Sequence, residues 1–479
     1  MKRSIFAALA LAVASLGQAA KAQTTDYASA YEGVAVEMEK VEAPTFADNK
    51  VSIADLGAKG DGATLCTDAF AQAIKKLVKL GGGTVVVPRG VWLTGPIVLK
   101  SDICLHLEDG AIIVFSPDKS LYVTDPAKHA VSLLRASKAK NIAITGKGII
   151  DGNGKYWRVV KRGKVSDTEW KAFEKMGGEE SEDGKLWFAY NLKNVKNVTD
   201  DHDAEEKLRY DLINFRNCEN VLIKDVTIQN SPRFHLHPCQ SSNIIIDGVT
   251  VRCPWNAQNG DGIDLSSCKR VLITNSTVDV GDDGLCMKAG AGGKGLTEGP
   301  VADVLIQDCR VFHAHGGFVV GSEFSGGIER LAVRRCMFSG TDTGLRFKSA
   351  VGRGGKIKNL HISDVTMNNI SGEAVIFSCT YVDKKYDTAD DGSAALMELK
   401  PFTPEFSNIT IENVVCRECD TAVKAEGALY SNKETGETMR SIHGITIRNS
   451  SFFYTGKDKE LDTNSEVTLE NVGFHTYGE

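Results

Sequence analysis

An eight-residue pattern recurs down this chain. It runs as an apolar alternation, then Asp or Asn, a small or apolar residue, any residue, and an apolar residue. The copies read VLIKDVTI from Val221, IIIDGVTV from Ile244, VLITNSTV from Val271 and VLIQDCRV from Val304. They continue as LAVRRCMF from Leu331, LHISDVTM from Leu360, ITIENVVC from Ile409, ITIRNSSF from Ile445 and VTLENVGF from Val467, with an earlier copy from Ile142. The most regular intervals are 22 to 33 residues. Alternating β-branched residues mean short strands. A strand returning at this interval with no helix between copies means stacked coils, because one coil cannot bury its own apolar face. The L-x-x-L-x-L frame of a leucine-rich repeat is absent. The expected fold is therefore all-β, a right-handed parallel β-helix. The 479 residues suit one elongated domain of this kind.

The sixth position of the pattern reads Val226, Val249, Ser276, Cys309, Cys336, Val365, Val414, Ser450 and Val472. Such small and medium residues suit an inward ladder, so Cys309 and Cys336 read as core fillers rather than disulfide partners. Cys416 and Cys419 have no second C-x-x-C to complete a zinc site.

The N-terminus departs from the repeat. Lys2 and Arg3, the apolar run Ile5 to Leu16, and Ala20-Lys21-Ala22 form a signal-peptide pattern over residues 1–22, so export to the periplasm or beyond is expected. The run is too short to span a bilayer, and no membrane insertion is expected. Residues 23–50 read as a leader and 51–479 as the β-helix domain. Within it, Thr67 is placed as the N-cap of a helix whose Phe70, Ile74, Leu77 and Val78 share one face and cap the coil stack. An insertion at about 156–203, with Trp157, Trp170 and Trp187, is either a wall of the binding site or a surface excursion. The net charge of −6 shows no basic excess, which argues against a nucleic-acid partner.

Between copies of the pattern lies a second strand series, beginning at Phe234, Ile263, Leu285, Phe318 and Leu345. If Leu345 and Phe347 face the core, Arg346 and Lys348 face out. The same register turns His235, Asp264 and Lys288 outward. Asp261 stands two residues before Ile263, Asp282 and Asp283 three and two before Leu285, and His315 three before Phe318. Neighbouring strands lie about 4.8 Å apart, so these groups should gather at one edge of consecutive coils. Turn formation alone accounts for the Asp-Gly pairs. It does not account for His315 or the Arg346–Lys348 pair. His237, like His235, fits either a substrate contact or a plain surface residue. Trp255 fits either a sugar-stacking platform or a packed turn.

These motifs are NGDGID (Asn259 to Asp264), GDDG (Gly281 to Gly284), HGG (His315 to Gly317) and RFK (Arg346 to Lys348). In order and spacing they resemble the polygalacturonases of glycoside hydrolase family 28, over about residues 51 to 475. The AKGDG segment resembles the entry to the pectate-lyase-like β-helix superfamily. Family members often read NTDG, GHG and RIK where this chain has Asn259-Gly260-Asp261-Gly262, Ala314-His315-Gly316 and Arg346-Phe347-Lys348. The resemblance implies hydrolysis of α-1,4-galacturonosidic bonds in an acidic plant polysaccharide or oligogalacturonide, with no cofactor and no metal. By it, Asp282 is the general acid, Asp261 and Asp283 activate water, and His315 orients or tunes the acid. Arg346 and Lys348 would hold the galacturonate carboxylate, with Lys288, His235, His237, Asn259 and Trp255 as further substrate contacts. Asp283 and His315 favour galacturonan over rhamnogalacturonan.

Like-charge neighbours should raise one carboxyl pKa, which suits an acid. An inverting arrangement places acid and base roughly 6.5–9.5 Å apart. The segments around Asn259, His315 and Gly352-Arg353-Gly354-Gly355 resemble bacterial exo-acting members. Two rivals share the fold class: a calcium-dependent pectate lyase, since clustered Asp can bind calcium, and a carbohydrate-binding β-helix without turnover.

Overall fold

The computed structural model describes residues 26–122, 131–189, 209–381 and 397–478. The signal-peptide pattern and residues 190–203 of the insertion lie outside them. The expected parallel β-helix is the fold observed, and the first residues of the repeat copies are direct partners. Val221 pairs with Ile244, Ile244 with Val271, Val271 with Val304, and Val304 with Leu331. The column continues through Leu360, Ile409, Ile445 and Val467.

Each pattern copy spans two strands and the corner between them. Glu219–Lys224 is one strand, Asp225 turns the chain, and Thr227–Gln229 is the next. The Asp or Asn of the pattern is that corner. Asp225, Asn275, Asp308, Asp364, Asn413, Asn449 and Asn471 all have φ between +49° and +62°. Asn and Asp tolerate this left-handed conformation, which costs other side chains roughly 1–2 kcal/mol. A second column of left-handed residues stands at the start of the same strands. In it Asn243 donates to Asn220 at 2.8 Å, Asn220 to Asn141 at 2.8 Å, and Asn141 to Asp102 at 2.9 Å. Inside, the sixth-position residues are buried down to Ser450, and Val472 is partly buried in the last coil. All twelve Cys are free thiols, Cys309 and Cys336 among them.

The capping helix runs Thr67–Lys79 and buries Phe70, Ala73, Ile74 and Leu77. Two expectations fail here. Val78 is 46% exposed, because one residue past Leu77 is a 100° turn away from the core. Thr67 is the first helical residue rather than the N-cap, which is Cys66. The Thr67 hydroxyl instead accepts from Gly95 N at 2.6 Å.

The leader folds as a strap across the outside of the repeat sheet. Its Tyr27, Tyr31, Val36 and Val41 are buried against Ile245, Leu272, Leu305 and Ala332. That explains the apolar outward row of these strands. Tyr27 Oη donates to Asp247 at 3.0 Å, and Arg334 donates to the carbonyls of Ala30 and Glu32 at 2.7 and 2.9 Å.

The described part of the insertion forms a small antiparallel sheet, Val159–Lys161 with Leu186–Phe188 and Glu179–Glu180. It packs with a helix, Asp167–Lys175, around Val160, Trp170 and Trp187.

Asn413 has φ of +56° and donates to Asp364 at 3.0 Å. Asn413→Val should lower stability by about 1–2 kcal/mol, while Asn413→Gly should cost much less. Thermal melts of the two variants against wild type check this ordering.

Candidate active site

The second strand series is Leu236–Cys239, Ile263–Ser266, Leu285–Lys288, Phe318–Gly321 and Leu345–Lys348. Leu236 pairs with Ile263, Ile263 with Leu285, Leu285 with Phe318, and Phe318 with Leu345. The series thus starts at Leu236, not Phe234. A two-residue slip keeps the same face outward, which is why alternation alone did not reveal it. The true register puts His237 on the outward strand row and leaves His235 in the turn before it.

In that turn His235 is fully buried. Its Nε2 accepts from Ser231 N at 3.2 Å, so its proton sits on Nδ1 and is donated to Asp261 O at 2.8 Å. Burial pulls its pKa down to about 4. As a substrate contact His235 is therefore corrected: it holds the Asp261 backbone from behind. Trp255 is 56% exposed, so it is not packed into its turn and its ring is open to solvent. His237, Asn259, Asp261, Asp282, Asp283, Lys288, His315, Arg346 and Lys348 all line one cavity of about 770 Å³.

The motif glycines explain how the carboxylates come so close. A Cβ on Gly262 would lie 2.6 Å from Gly284 O, and one on Gly317 would lie 2.4 Å from the Phe338 ring. Without side chains these turns stack directly, Gly262 N donating to Asp283 O and Gly284 N to Gly316 O, both at 2.9 Å. One oxygen each from Asp261, Asp282 and Asp283 lies within 4.8 Å of the others. The wider gap expected between acid and base is not what these turns produce, because all three side chains converge on one spot.

Three like charges at this range need compensation. Asp283 is 2% exposed and accepts from Lys348 Nζ at 2.7 Å and Arg346 Nη1 at 3.4 Å. Burial is the largest influence and would raise its carboxyl, but Lys348, Lys288 and Arg346 together outweigh it and hold the carboxyl low. Asp282 accepts from Asn259 N at 3.2 Å and Asp283 N at 3.0 Å, and its Oδ1 lies 3.1 Å from His315 Nδ1. Burial is again the largest influence and opposes ionisation, yet the His315 contact with the Lys348 and Lys288 charges outweighs it and keeps Asp282 well below the usual carboxylate range.

Asp261 behaves in the opposite way. Burial, then Asp264 and Asp282, push its carboxyl well above that range, with Lys288 only 3.9 Å from Oδ2 as partial relief. Burial also raises Asp264, to about 6. The like-charge expectation is thus met at Asp261, not at Asp282, because His315 and two backbone N–H groups favour the Asp282 anion.

Several residues at the site carry no signal in the sequence. Asp211 supports the lining residue His237: it lies 2.7 Å from His237 Nδ1 and orients the ring toward Ser266 Oγ at 2.8 Å. Tyr381 lies beneath Lys348 Nζ at 5.3 Å. From the insertion, Lys161 and Lys164 reach the cavity. No periodicity marks these positions, since they lie in loops or in the insertion.

The family model for "Glycosyl hydrolases family 28" matches residues 183–466. An exo-poly-α-D-galacturonosidase of Dickeya chrysanthemi is 31% identical over 82% of this chain and 65% of its own length. The chain belongs to glycosyl hydrolase family 28. A probable polygalacturonase of Vitis vinifera is 29% identical over 67% of the chain and 61% of its own length. The chain thus spans a little under two thirds of the length of either relative. Among solved structures, a hyperthermoactive exopolygalacturonase from Thermotoga maritima superimposes with a TM-score of 0.71 at 29% identity. That match covers 91% of this chain and 94% of the other. The family 28 exopolygalacturonase of Yersinia enterocolitica shares the fold, at a TM-score of 0.64 and 23% identity, over 89% of this chain and 78% of its own.

The Lys348–Asp283 pair gives a check on these electrostatics. Lys348→Met leaves a buried carboxylate short of its main partner and should cost about 3 kcal/mol near pH 7. A depressed carboxyl contributes stability above its unfolded pKa and loses it as pH falls through the folded value. The deficit of the variant should therefore be full at neutral pH and shrink in acid, as read by denaturant unfolding at a series of pH values.

Proposed function

We propose that this protein hydrolyses α-1,4-galacturonosidic bonds of a pectic chain, releasing galacturonic acid or short units from chain ends. One observation carries the reading: in a family 28 chain, three carboxylates, an imidazole and two cations meet on the floor of a single cleft. Export, from the signal-peptide pattern, fits a polymer substrate. No helix among the described residues is long and apolar enough to cross a membrane.

The roles follow from exposure and pairing. Asp283 is held ionised by Lys348 and Arg346, so it suits the base that activates water. Asp282 has the most exposed carboxylate of the three, at 16%, and faces the cleft beside His315. It suits the proton donor to the leaving oxygen. His315 and the nearby cations favour its anion. An arriving uronate adds negative charge and displaces water, and both effects raise the affinity of Asp282 for a proton. Burial favours a proton on Asp261, and passing it to Asp282 would free Asp261 to join Asp283 in activating water.

Attack by water rather than by a carboxylate follows from the same burial. Asp283 is tied to two cations and Asp261 is 3% exposed, so neither is free to bond to the sugar. Inversion is therefore favoured even though the carboxylates are closer than in most inverting enzymes. Arg346, 22% exposed, is the better placed cation for the sugar carboxylate, since Lys348 is committed to Asp283. Exo action is supported by the insertion, whose Lys161 and Lys164 add to the lining of the cleft and narrow the room for a continuous chain. The cations beside the carboxylates compete with calcium for the same oxygens, which favours hydrolysis over a calcium-dependent lyase.

Asp282→Asn should lower kcat by about 10²–10⁴-fold while oligogalacturonate binding, read by calorimetry, persists. Wild type should release monomer from the first time point, with the β-anomer first in NMR. A ladder of intermediate oligomers would reject exo action, α-anomer first would reject inversion, and an unsaturated, ultraviolet-absorbing product would reject hydrolysis altogether.

A further inference from the structure

The insertion contributes more than a wall. Lys164 ends a short turn, Arg162–Lys164, fixed on one side by Arg162 donating to Val165 O at 3.1 Å. On the other side the Ser166–Glu169 capping box starts the next helix. From there Lys164 Nζ lies 3.3 Å from His315 Nε2. The other ring nitrogen, Nδ1, lies 3.1 Å from Asp282 Oδ1. Among the described residues, the other charged group paired with the ring is Asp342, whose Oδ2 lies 3.8 Å from Nε2, and Arg346 packs its stem beside Gly316 on the adjoining coil.

An ammonium has donors and no acceptor. At hydrogen-bond distance from Nε2 it must meet a lone pair, so the ring proton belongs on Nδ1, aimed at Asp282. A doubly protonated ring would set two cations against each other at 3.3 Å. Removing the ammonium would reverse the preference. Asp342 would then draw a proton to Nε2, leaving a charged ring between two carboxylates and pinning Asp282 as an anion.

We propose that Lys164 is a positioning residue that keeps His315 neutral with its proton on Nδ1, so that Asp282 can take up the proton it must deliver. This rests on the acid role given to Asp282 above. It also assigns the insertion a part in the chemistry, through an imidazole set from outside the β-helix.

The test compares Lys164→Met and Lys164→Arg with wild type. Imidazole ¹⁵N shifts, with His315 assigned through a His315→Gln control, should show Nδ1–H in wild type. Nε2 should gain a proton in Lys164→Met over the same pH range. On galacturonate oligomers, kcat should fall by about tenfold or more with KM little changed. The pH–kcat profile should shift, and Lys164→Arg should restore most of the rate because arginine also only donates. Unchanged ¹⁵N shifts in Lys164→Met would overturn the proposal. So would a raised KM with kcat intact, which would mean that Lys164 contacts the sugar instead. If wild type failed to cleave galacturonate oligomers, the acid role would fall, while the NMR comparison would still decide where the ring proton sits.

Discussion

Everything in this molecule hangs on coils stacking without slipping, and the left-handed corners fix that register. A strand column by itself is tolerant, because sliding by two residues returns every side chain to its face. A corner that needs positive φ is not tolerant. Asn275, Asp308, Asn413 and their counterparts stand in one column with φ near +50° to +60°, and their side chains reach the neighbouring coil. Each coil therefore begins its next strand at the same place. Groups tens of residues apart then arrive at ladder spacing, and the cleft is a by-product of that alignment.

The cleft floor is electrostatically expensive, and the chain offsets the cost in three ways. Asp283 is balanced by cations and Asp282 by hydrogen-bond donors, while burial pushes the Asp261 carboxyl upward and so favours its neutral form. These are the three ways an environment can set a carboxyl pKa: nearby charge, hydrogen bonding and desolvation. Three similar residues on adjacent turns are thereby made chemically different. A site that must both give and take a proton needs that difference, and composition does not reveal it because it depends on which neighbour faces which oxygen.

What was legible in the sequence is what repeats. The coil period, the inward ladder through Cys309 and Cys336, and the motif carboxylates all follow from strict spacing. The four motifs gathered as expected because each lies just before a strand whose start the apolar residues mark. Errors arose where spacing gives no information. Phe234 and Leu236 are equivalent by alternation, so only the turn geometry could place His235 behind the cleft and His237 in it. Val78 looked like a core residue because it is apolar, yet the helix turns it outward. The apolar outward row of Ile245, Leu272 and Leu305 had no reading in the repeat itself. It becomes intelligible once Tyr31 and Val41 lie across it. Lys164 sits in an irregular insertion, and nothing in its sequence context marks it as a neighbour of His315.

The strap also dictates an order of events. Its landing surface is assembled from strands as late in the chain as Ala332, yet the strap itself is among the first segments synthesised. It must wait, unpartnered, while some three hundred residues wind into coils. Its tyrosines and valines can settle only on a finished sheet, so strap docking reports that the preceding winding is complete. A coil that misthreads anywhere between Leu222 and Ala332 would leave this segment loose, and a protease would find it there before it found the core.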